Sequence, residues 1–235
     1  MQINLHNIIP QKEAVLRSQG FPGNTPVKER IRELLSKAME IFAENAQPAG
    51  ILSEVSIYDF KKIFRGAGKN APEKPLQHIF PCADRLALFA LTMGSKVSTK
   101  IEECFLKNNF ALGSMLDSVT SLAAENAVEL YEKYFHNKLS RKKNTHLNNC
   151  VLSYSPGYCG WHISGQKKIF KCLQPEKIGI SLNDNFLMSP IKSVTGVLVD
   201  GKKEIHIFET NFPFCSSCKH HSCSERMKNI VSQID

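Results

Sequence analysis

The chain has 235 residues, of which 42% are hydrophobic and 22% charged, a composition typical of a globular protein with one large domain. No apolar run approaches the roughly 20 residues that a membrane span needs, and the N-terminus lacks the layout of a secretory signal. The formal net charge of +8 favours an acidic partner. Because the basic residues are mostly dispersed, the composition disfavours nucleic acid, and we expect a cytoplasmic protein without membrane association.

The first half of the chain is predicted to be mainly helical. Thr25 and Pro26 are a good N-cap and first helical residue for an amphipathic helix that extends to Phe42, whereas residues 10–26 are broken by proline and glycine and are predicted as a loop. The further elements predicted for this half are a strand at Ile51–Tyr58, a strand at Leu76–Cys82, a buried helix that includes Leu86–Met93, and a long helix at Ala111–Phe135.

The second half has the texture of short strands alternating with short helices. The predicted strands are Val151–Ser155, Gly179–Leu182, Val194–Val199 and Glu204–Phe208, and the predicted helices are Ser164–Leu173 and Ser222–Gln233. Helices first and strands afterwards favour an α+β fold over a regular βαβ alternation. We assign residues 1–210 to one domain and residues 211–235 to a cysteine-rich tail.

A turn with aromatic neighbours follows the strand predicted at Val151–Ser155. Pro156 and Gly157 have the chemistry of a type II turn, and glycine lets a ligand approach the backbone closely. Tyr158 and Trp161 follow directly and offer flat rings, so that a purine or a macrocycle would find a cradle here, and Trp161 is predicted to face that ligand. The alternative is a purely structural turn in the core.

Four motifs appear in order along this region. After the Pro-Gly-Tyr turn come Glu176–Leu182 (EKIGISL), Met188–Pro190 (MSP) and Ser193–Gly196 (SVTG). This series resembles the activation, or reactivation, domain of cobalamin-dependent methionine synthase, over about residues 150–200 and more loosely over the helix at Ala111–Phe135. The resemblance implies a single α+β domain with a central, mainly antiparallel twisted sheet packed with long helices.

The function that the resemblance implies is corrinoid reactivation. The family binds S-adenosylmethionine and docks over the cobalamin of a partner module, where one electron and the methyl group convert inactive Co(II) into methylcobalamin. A flavodoxin or a ferredoxin is the expected electron donor. The chain is too short for homocysteine, folate and cobalamin modules and has no Asp-x-His-x-x-Gly motif. Cobalamin is therefore expected on a corrinoid-binding methyltransferase partner, or in a split methionine synthase.

Site residues are carried over from the resemblance position by position. Gly157 and Tyr158 match the ligand-contacting Gly-Tyr of the family, and Ser155 stands at a small residue whose backbone contacts the ligand. Glu129 aligns with a helix carboxylate near the positive charge of S-adenosylmethionine; the alternative is an exposed glutamate paired with a lysine one turn later.

One position departs from the family. Ser153 stands where the family has an arginine that grips the carboxylate of the ligand, so a bidentate charged contact is lost. Either another cation replaces it, or S-adenosylmethionine binds weakly or not at all.

The cysteine-rich tail is a second candidate site. Cys215 and Cys218 have the Cys-x2-Cys spacing that brings two thiolates to one metal, and Cys223 would add a third. The remaining candidates for a fourth ligand are His220, His221 and Cys159. Such a set suits zinc and an iron–sulfur cluster equally, and free thiols are the remaining alternative.

Two other functions stay open on the sequence. The first is an iron–sulfur electron carrier or reductase for corrinoid proteins that does not use S-adenosylmethionine, which the serine at position 153 and the cysteine tail favour. The second is a non-enzymatic docking module that keeps the fold only to bind its partner.

Overall fold

The computed structural model describes residues 3–21, 26–140, 148–208, 230 and 232, the side chains of residues 139 and 140 excepted. The chain divides into two compact units. The first consists of Met1–Ile51, Ala90–Tyr131 and Gln174–Val194, and the second consists of Leu52–Phe89, Glu132–Leu173 and Thr195–Asp235.

Helices dominate the first half, as the hydrophobic periodicity predicts. The α-helices are α1 (Lys12–Ser18), α2 (Glu29–Asn45), α3 (Ile57–Arg65), α4 (Leu76–Ile79), α5 (Ser95–Leu106), α6 (Phe110–Ser140) and α7 (Gln166–Leu173). Among the described residues, no helix combines the length and the apolarity needed to cross a membrane.

In the described part of the chain, four of the six strands form one sheet. The strands are β1 (Ala49–Val55), β2 (Arg85–Thr92), β3 (Asn149–Tyr154), β4 (Ser181–Leu182), β5 (Met188–Ser189) and β6 (Ser193–Lys202). The order in the four-stranded sheet is β1-β2-β6-β3, and β4 pairs with β5 in a small antiparallel hairpin. β3 runs antiparallel to β6, with Tyr154 opposite Val197. The predicted α+β class with an antiparallel sheet is confirmed.

The largest error of the sequence analysis concerns the segment before α5. Leu86–Met93 was predicted as a buried helix but forms most of β2, in which every residue after Arg85 is buried. A strand buried on both faces reads as a continuous apolar run, so periodicity cannot distinguish it from a buried helix. Leu76–Cys82, predicted as a strand, is instead α4 followed by a short 3-10 helix.

Two smaller predictions are also wrong, and one lies outside the described residues. The predicted loop at residues 10–26 contains the seven-residue helix α1. The predicted strand at Glu204–Phe208 overlaps a 3-10 helix at Lys203–His206. The helix predicted at Ser222–Gln233 and the proposed boundary at residues 210 and 211 fall in a segment of which the structure describes only residues 230 and 232.

Within the first unit, the small residues of α6 are contacted by the end of α1. The side-chain amide of Gln19 donates to the Ser118 hydroxyl at 2.6 Å and to the backbone carbonyl of Ser114 at 3.3 Å. Lys192, just before β6, contacts the same helix: its ammonium lies 2.8 Å from the Asp117 carboxylate and donates to the Ser121 hydroxyl at 2.8 Å. These polar contacts explain why α6 carries serines on a face that packs against other segments of the same unit.

Candidate functional site

The predicted turn leaves the end of β3 and closes on itself. The Gly157 N–H donates to the Trp161 carbonyl at 2.7 Å, and the Trp161 N–H donates to the Tyr158 carbonyl at 2.9 Å. The Tyr158 N–H donates to the Ser155 carbonyl at 3.3 Å. Three backbone hydrogen bonds within seven residues fix the shape of the segment Ser155–Trp161, which we call the ligand turn.

Gly157 gives the ligand turn an accessible backbone. Its φ of +97° lies in the left-handed region that L side chains rarely adopt, so the position requires glycine. A Cβ built on Gly157 would meet no atom of the described residues within 4 Å, so this side of the backbone is open with respect to that part of the chain. The predicted glycine-dependent turn is therefore present, and ligand contact at Gly157 stays a prediction.

The two aromatic rings near the turn have opposite environments. Tyr158 is 43% exposed, whereas Trp161 is only 1% exposed. The Trp161 ring packs on Phe60 and Phe64 of α3, with ring centroids 5.6 Å and 5.7 Å away. The prediction that Trp161 faces a ligand or a corrinoid is therefore wrong for this structure, because its ring belongs to the aromatic core of the second unit.

A second loop holds the ligand turn from outside. The Ala71 N–H donates to the Gly160 carbonyl at 2.9 Å, and the His162 N–H donates to the Asn70 side-chain oxygen at 2.9 Å. The Asn70 amide in turn donates to the Phe64 carbonyl at the end of α3, at 2.7 Å. The ligand turn is thus preorganised by the residues after α3 as well as by its own hydrogen bonds.

Gly196, in the fourth sequence motif, lets β6 pass close to the start of the turn. A Cβ at Gly196 would collide with the Tyr154 carbonyl, and it would lie 3.0 Å from the Ser155 hydroxyl and 2.8 Å from the Phe89 ring. Ser155 itself is half-buried. The glycine of the Ser-Val-Thr-Gly motif is therefore explained by packing against the residue that precedes the turn.

Position 153 carries a carboxylate contact in this chain. The Ser153 N–H donates to Oε1 of Glu132, on the last part of α6, at 2.7 Å, and Ser153 is 9% exposed. Neither Glu132 nor Asn70 belongs to a sequence motif that would mark it as a residue of this site. Glu132 lies three residues after Glu129 on the same helix. Only its contact with β3 shows that Glu132 is the carboxylate beside Ser153.

Glu129 belongs to the first unit, where it lies exposed on α6. Ser155, Gly157 and Tyr158 belong to the second unit. The structure brings those three together in the ligand turn, and the ligand contact of Glu129 stays a prediction.

Two side chains with a raised pKa, Cys150 and Asp200, lie near the other end of the β3–β6 pair. Burial is the main cause that raises the pKa of the Cys150 thiol to about 11; Lys203 opposes this shift, and the carboxylates of Asp200, Glu132 and Glu204 add to it. Burial and the Asp84 carboxylate also raise the pKa of Asp200, against the effect of its hydrogen bond with Asn149. Cys150 and Asp200 are therefore held towards their neutral forms.

We expect the Cys150 thiol to resist alkylation near neutral pH. With a pKa of about 11, only about 0.1% of it is thiolate at pH 8, against roughly a quarter for an ordinary thiol. A short iodoacetamide pulse at pH 8, read by peptide mass spectrometry, should modify Cys150 roughly 100-fold more slowly than the exposed Cys172. The Cys150 rate should rise steadily with pH up to about 11, and equal rates for the two thiols at pH 8 would contradict the assignment.

The predicted metal ligands of the tail, Cys215, Cys218 and Cys223, lie outside the described residues, as do the two candidate histidines. Cys159 is half-buried in the ligand turn. Among the residues that the structure describes, no three histidine, cysteine, aspartate or glutamate side chains are grouped so as to hold a metal ion. Zinc or iron–sulfur binding by the tail stays a prediction.

Comparison with protein families matches residues 77–211 to the model of the vitamin B12-dependent methionine synthase activation domain. The match spans more than half of the chain and contains the ligand turn, β3 and β6. The chain belongs to this family. The resemblance inferred from the four sequence motifs is therefore confirmed.

An activation-domain fold is also found among solved structures. The crystal structure of the MetH reactivation domain bound to AdoHcy matches with a TM-score of 0.57 and 14% sequence identity, over 85% of this chain and 77% of that one. At this identity the likeness establishes the fold of the activation domain. No curated protein matches the chain.

Proposed function

We propose that this chain is the reactivation component of a corrinoid-dependent methyltransferase of the methionine synthase type. In this role it binds S-adenosylmethionine at the ligand turn and docks on a separate corrinoid protein. The corrinoid and the sulfonium supply the chemistry: one electron reduces Co(II) to Co(I), and Co(I) takes the methyl group and leaves S-adenosylhomocysteine. The contribution of the chain is to bind and orient the methyl donor.

The observation that carries the proposal is the open side of the ligand turn. Within the described residues, no atom lies within 4 Å of a Cβ built on Gly157, and the neighbouring Tyr158 ring is 43% exposed. The hydrogen bonds of the turn hold both residues in place. An adenine ring stacked on a tyrosine and a ribose or amino-acid group against the glycine backbone would use these features. Support also comes from the solved relative with the same fold, which binds AdoHcy.

A spectroscopic assay tests the proposal. The chain is mixed with the cobalamin-binding module of a methionine synthase loaded with cob(II)alamin, with titanium(III) citrate as reductant and S-adenosylmethionine as methyl donor. We expect the Co(II) absorbance to be replaced by that of methylcobalamin only when the chain and the methyl donor are both present. A rate that does not change when the chain is omitted would refute the proposal.

The same assay separates the two alternatives. An electron carrier that does not use S-adenosylmethionine would accelerate the disappearance of Co(II) without any methyl donor. A docking module would bind the cobalamin protein, measurable by gel filtration, and change no rate. The cysteine tail bears on the first alternative, because an iron–sulfur cluster would give the anaerobically purified chain a brown colour, whereas bound zinc would leave it colourless.

The serine at position 153 should bind the carboxylate of the methyl donor more weakly than an arginine would. The Ser153 hydroxyl carries no charge, and its backbone is engaged by Glu132. A charged hydrogen bond contributes about 1.5–3 kcal/mol, so Ser153→Arg should tighten AdoHcy binding roughly 10- to 100-fold in calorimetry. The matched control is Ser153→Gln, which adds length without charge. Equal affinities for a folded Arg variant and the Gln variant would show that the ligand carboxylate does not approach position 153.

A further inference from the structure

Two short helices of the second unit expose basic side chains next to the ligand turn. Their buried faces are apolar: Phe60, Ile63 and Phe64 on α3, and Ile169, Phe170 and Leu173 on α7. The exposed basic residues on these two helices and just after α3 are Lys61, Lys62, Arg65, Lys69, Lys167, Lys168 and Lys171, which together we call the basic ridge. The one carboxylate on the two helices is Asp59.

The C-terminal end of α3 lies close to the start of α7, although about 100 residues separate them in the chain. The end of α3 contacts the 3-10 helix Ile163–Gly165 that leads into α7, and a Cβ built on Gly66 would lie 3.6 Å from the Cα of Gly165. Arg65 and Gln166 are the next residues on either side of this contact. The basic residues near the C-terminus of α3 and those near the N-terminus of α7 therefore lie on neighbouring parts of one surface.

Most of the positive charge of the ridge has no counter-ion within the described residues. Lys62 pairs with Asp59 at 3.1 Å, but no ion pair within the described part of the chain involves Lys61, Arg65 or Lys168. Lys69 and Lys171 share this lack of an ion pair. Unpaired cations concentrated on one surface create a local positive potential that attracts an acidic partner.

Tyr58, near the start of α3, adds an exposed aromatic ring beside the ridge. It is 71% exposed, and the Lys62 ammonium lies 4.0 Å from the centre of its ring. Tyrosine among basic side chains is typical of protein–protein interfaces, where it supplies contact area at low entropic cost. The Lys62 ammonium already covers one face of the ring, which makes that face unavailable for stacking a base.

From these observations we infer that the basic ridge is the docking surface for a protein partner with an acidic face. Asn70 accepts a hydrogen bond from the His162 N–H, and Ala71 donates one to the Gly160 carbonyl. These bonds join the end of the ridge to the ligand turn, so such a partner would dock directly beside that turn. The inference does not depend on the ligand that the turn binds. A chain that binds an acidic protein surface but no adenosyl ligand would keep the ridge and refute only the proposed function.

Binding of a model acidic polypeptide tests this inference. The probe is fluorescein-labelled poly-L-glutamate, and the measurement is fluorescence anisotropy at low and at physiological salt. The ridge variant is Lys61→Glu/Arg65→Glu/Lys168→Glu. The matched control variant is Lys28→Glu/Lys37→Glu/Lys96→Glu, which reverses three exposed lysines of the first unit and so causes the same change in net charge.

We expect the ridge variant to weaken poly-L-glutamate binding about tenfold or more at physiological salt, and the control variant to weaken it less than about threefold, because attraction between exposed charges is screened beyond roughly 8 Å at that ionic strength. Equal losses in the two variants, or no binding by the unmodified chain, would overturn the inference. Tighter binding of fluorescein-labelled oligouridylate that is lost in the ridge variant would assign the surface to nucleic acid instead. If charge reversal lowers the melting temperature, Arg65→Gln/Lys168→Gln answers the same question.

Discussion

Replacing Trp161 by alanine should lower the free energy of unfolding by about 3–5 kcal/mol, the cost of removing a large aromatic side chain from a packed core. The ring is 1% exposed and packs on two phenylalanines of α3, and Gly165 lies directly against its indole nitrogen. At about 2–4 °C per kcal/mol for a chain of this size, the melting temperature should fall by roughly 6–20 °C.

The neighbouring Tyr158 provides the control for this prediction. Tyr158→Ala removes a ring that is 43% exposed, so the melting temperature should change by less than about 3 °C. Calorimetric melting of both variants decides the matter. A small loss for Trp161→Ala would mean that the ring does not hold the turn on α3, and Trp161 would again be a candidate for ligand contact.

Tyr158→Ala should act on binding instead. A base stacked on an aromatic ring contributes about 1–3 kcal/mol, so the affinity for AdoHcy should fall roughly 5- to 100-fold. Tyr158→Phe keeps the ring and should retain most of the affinity. The exposure of the ring and the free space beside Gly157 are the structural reasons for this expectation.

Calorimetric titration of the three proteins measures this effect, with the melting temperature as the check on folding. If Tyr158→Ala bound AdoHcy as tightly as the unmodified chain, the ligand would lie elsewhere. If Tyr158→Phe lost as much affinity as Tyr158→Ala, the phenol hydroxyl rather than the ring would be the contact.

The local chemistry of the ligand turn could be predicted from the sequence, because it depends on adjacent residues. Proline and glycine at 156 and 157 determine the turn by their own backbone preferences, and the structure shows Gly157 at a φ of +97°. The long helix α6 and the strands β3 and β6 were likewise predictable from periodicity over many residues.

What the sequence could not predict depends on residues far apart in the chain. Trp161 is buried because α3, about 100 residues earlier, supplies Phe60 and Phe64. The basic ridge depends on the contact between the end of α3 and the 3-10 helix before α7, and the spacing of basic residues in the sequence does not reveal that contact. The strand β2 was misread as a helix because an apolar run carries no period from which burial on two faces can be recognised.

The central claim is that the ligand turn binds the methyl donor, and an isothermal titration of the purified chain with S-adenosylmethionine tests it most directly. We predict binding at a single site, weakened by the missing charge at position 153 but saturable below about 1 mM, which corresponds to roughly 4 kcal/mol of binding free energy. Tyr158→Ala should weaken the binding while changing the melting temperature by less than about 3 °C. The absence of any binding heat at about 1 mM ligand, in a chain that melts cooperatively, would contradict the claim.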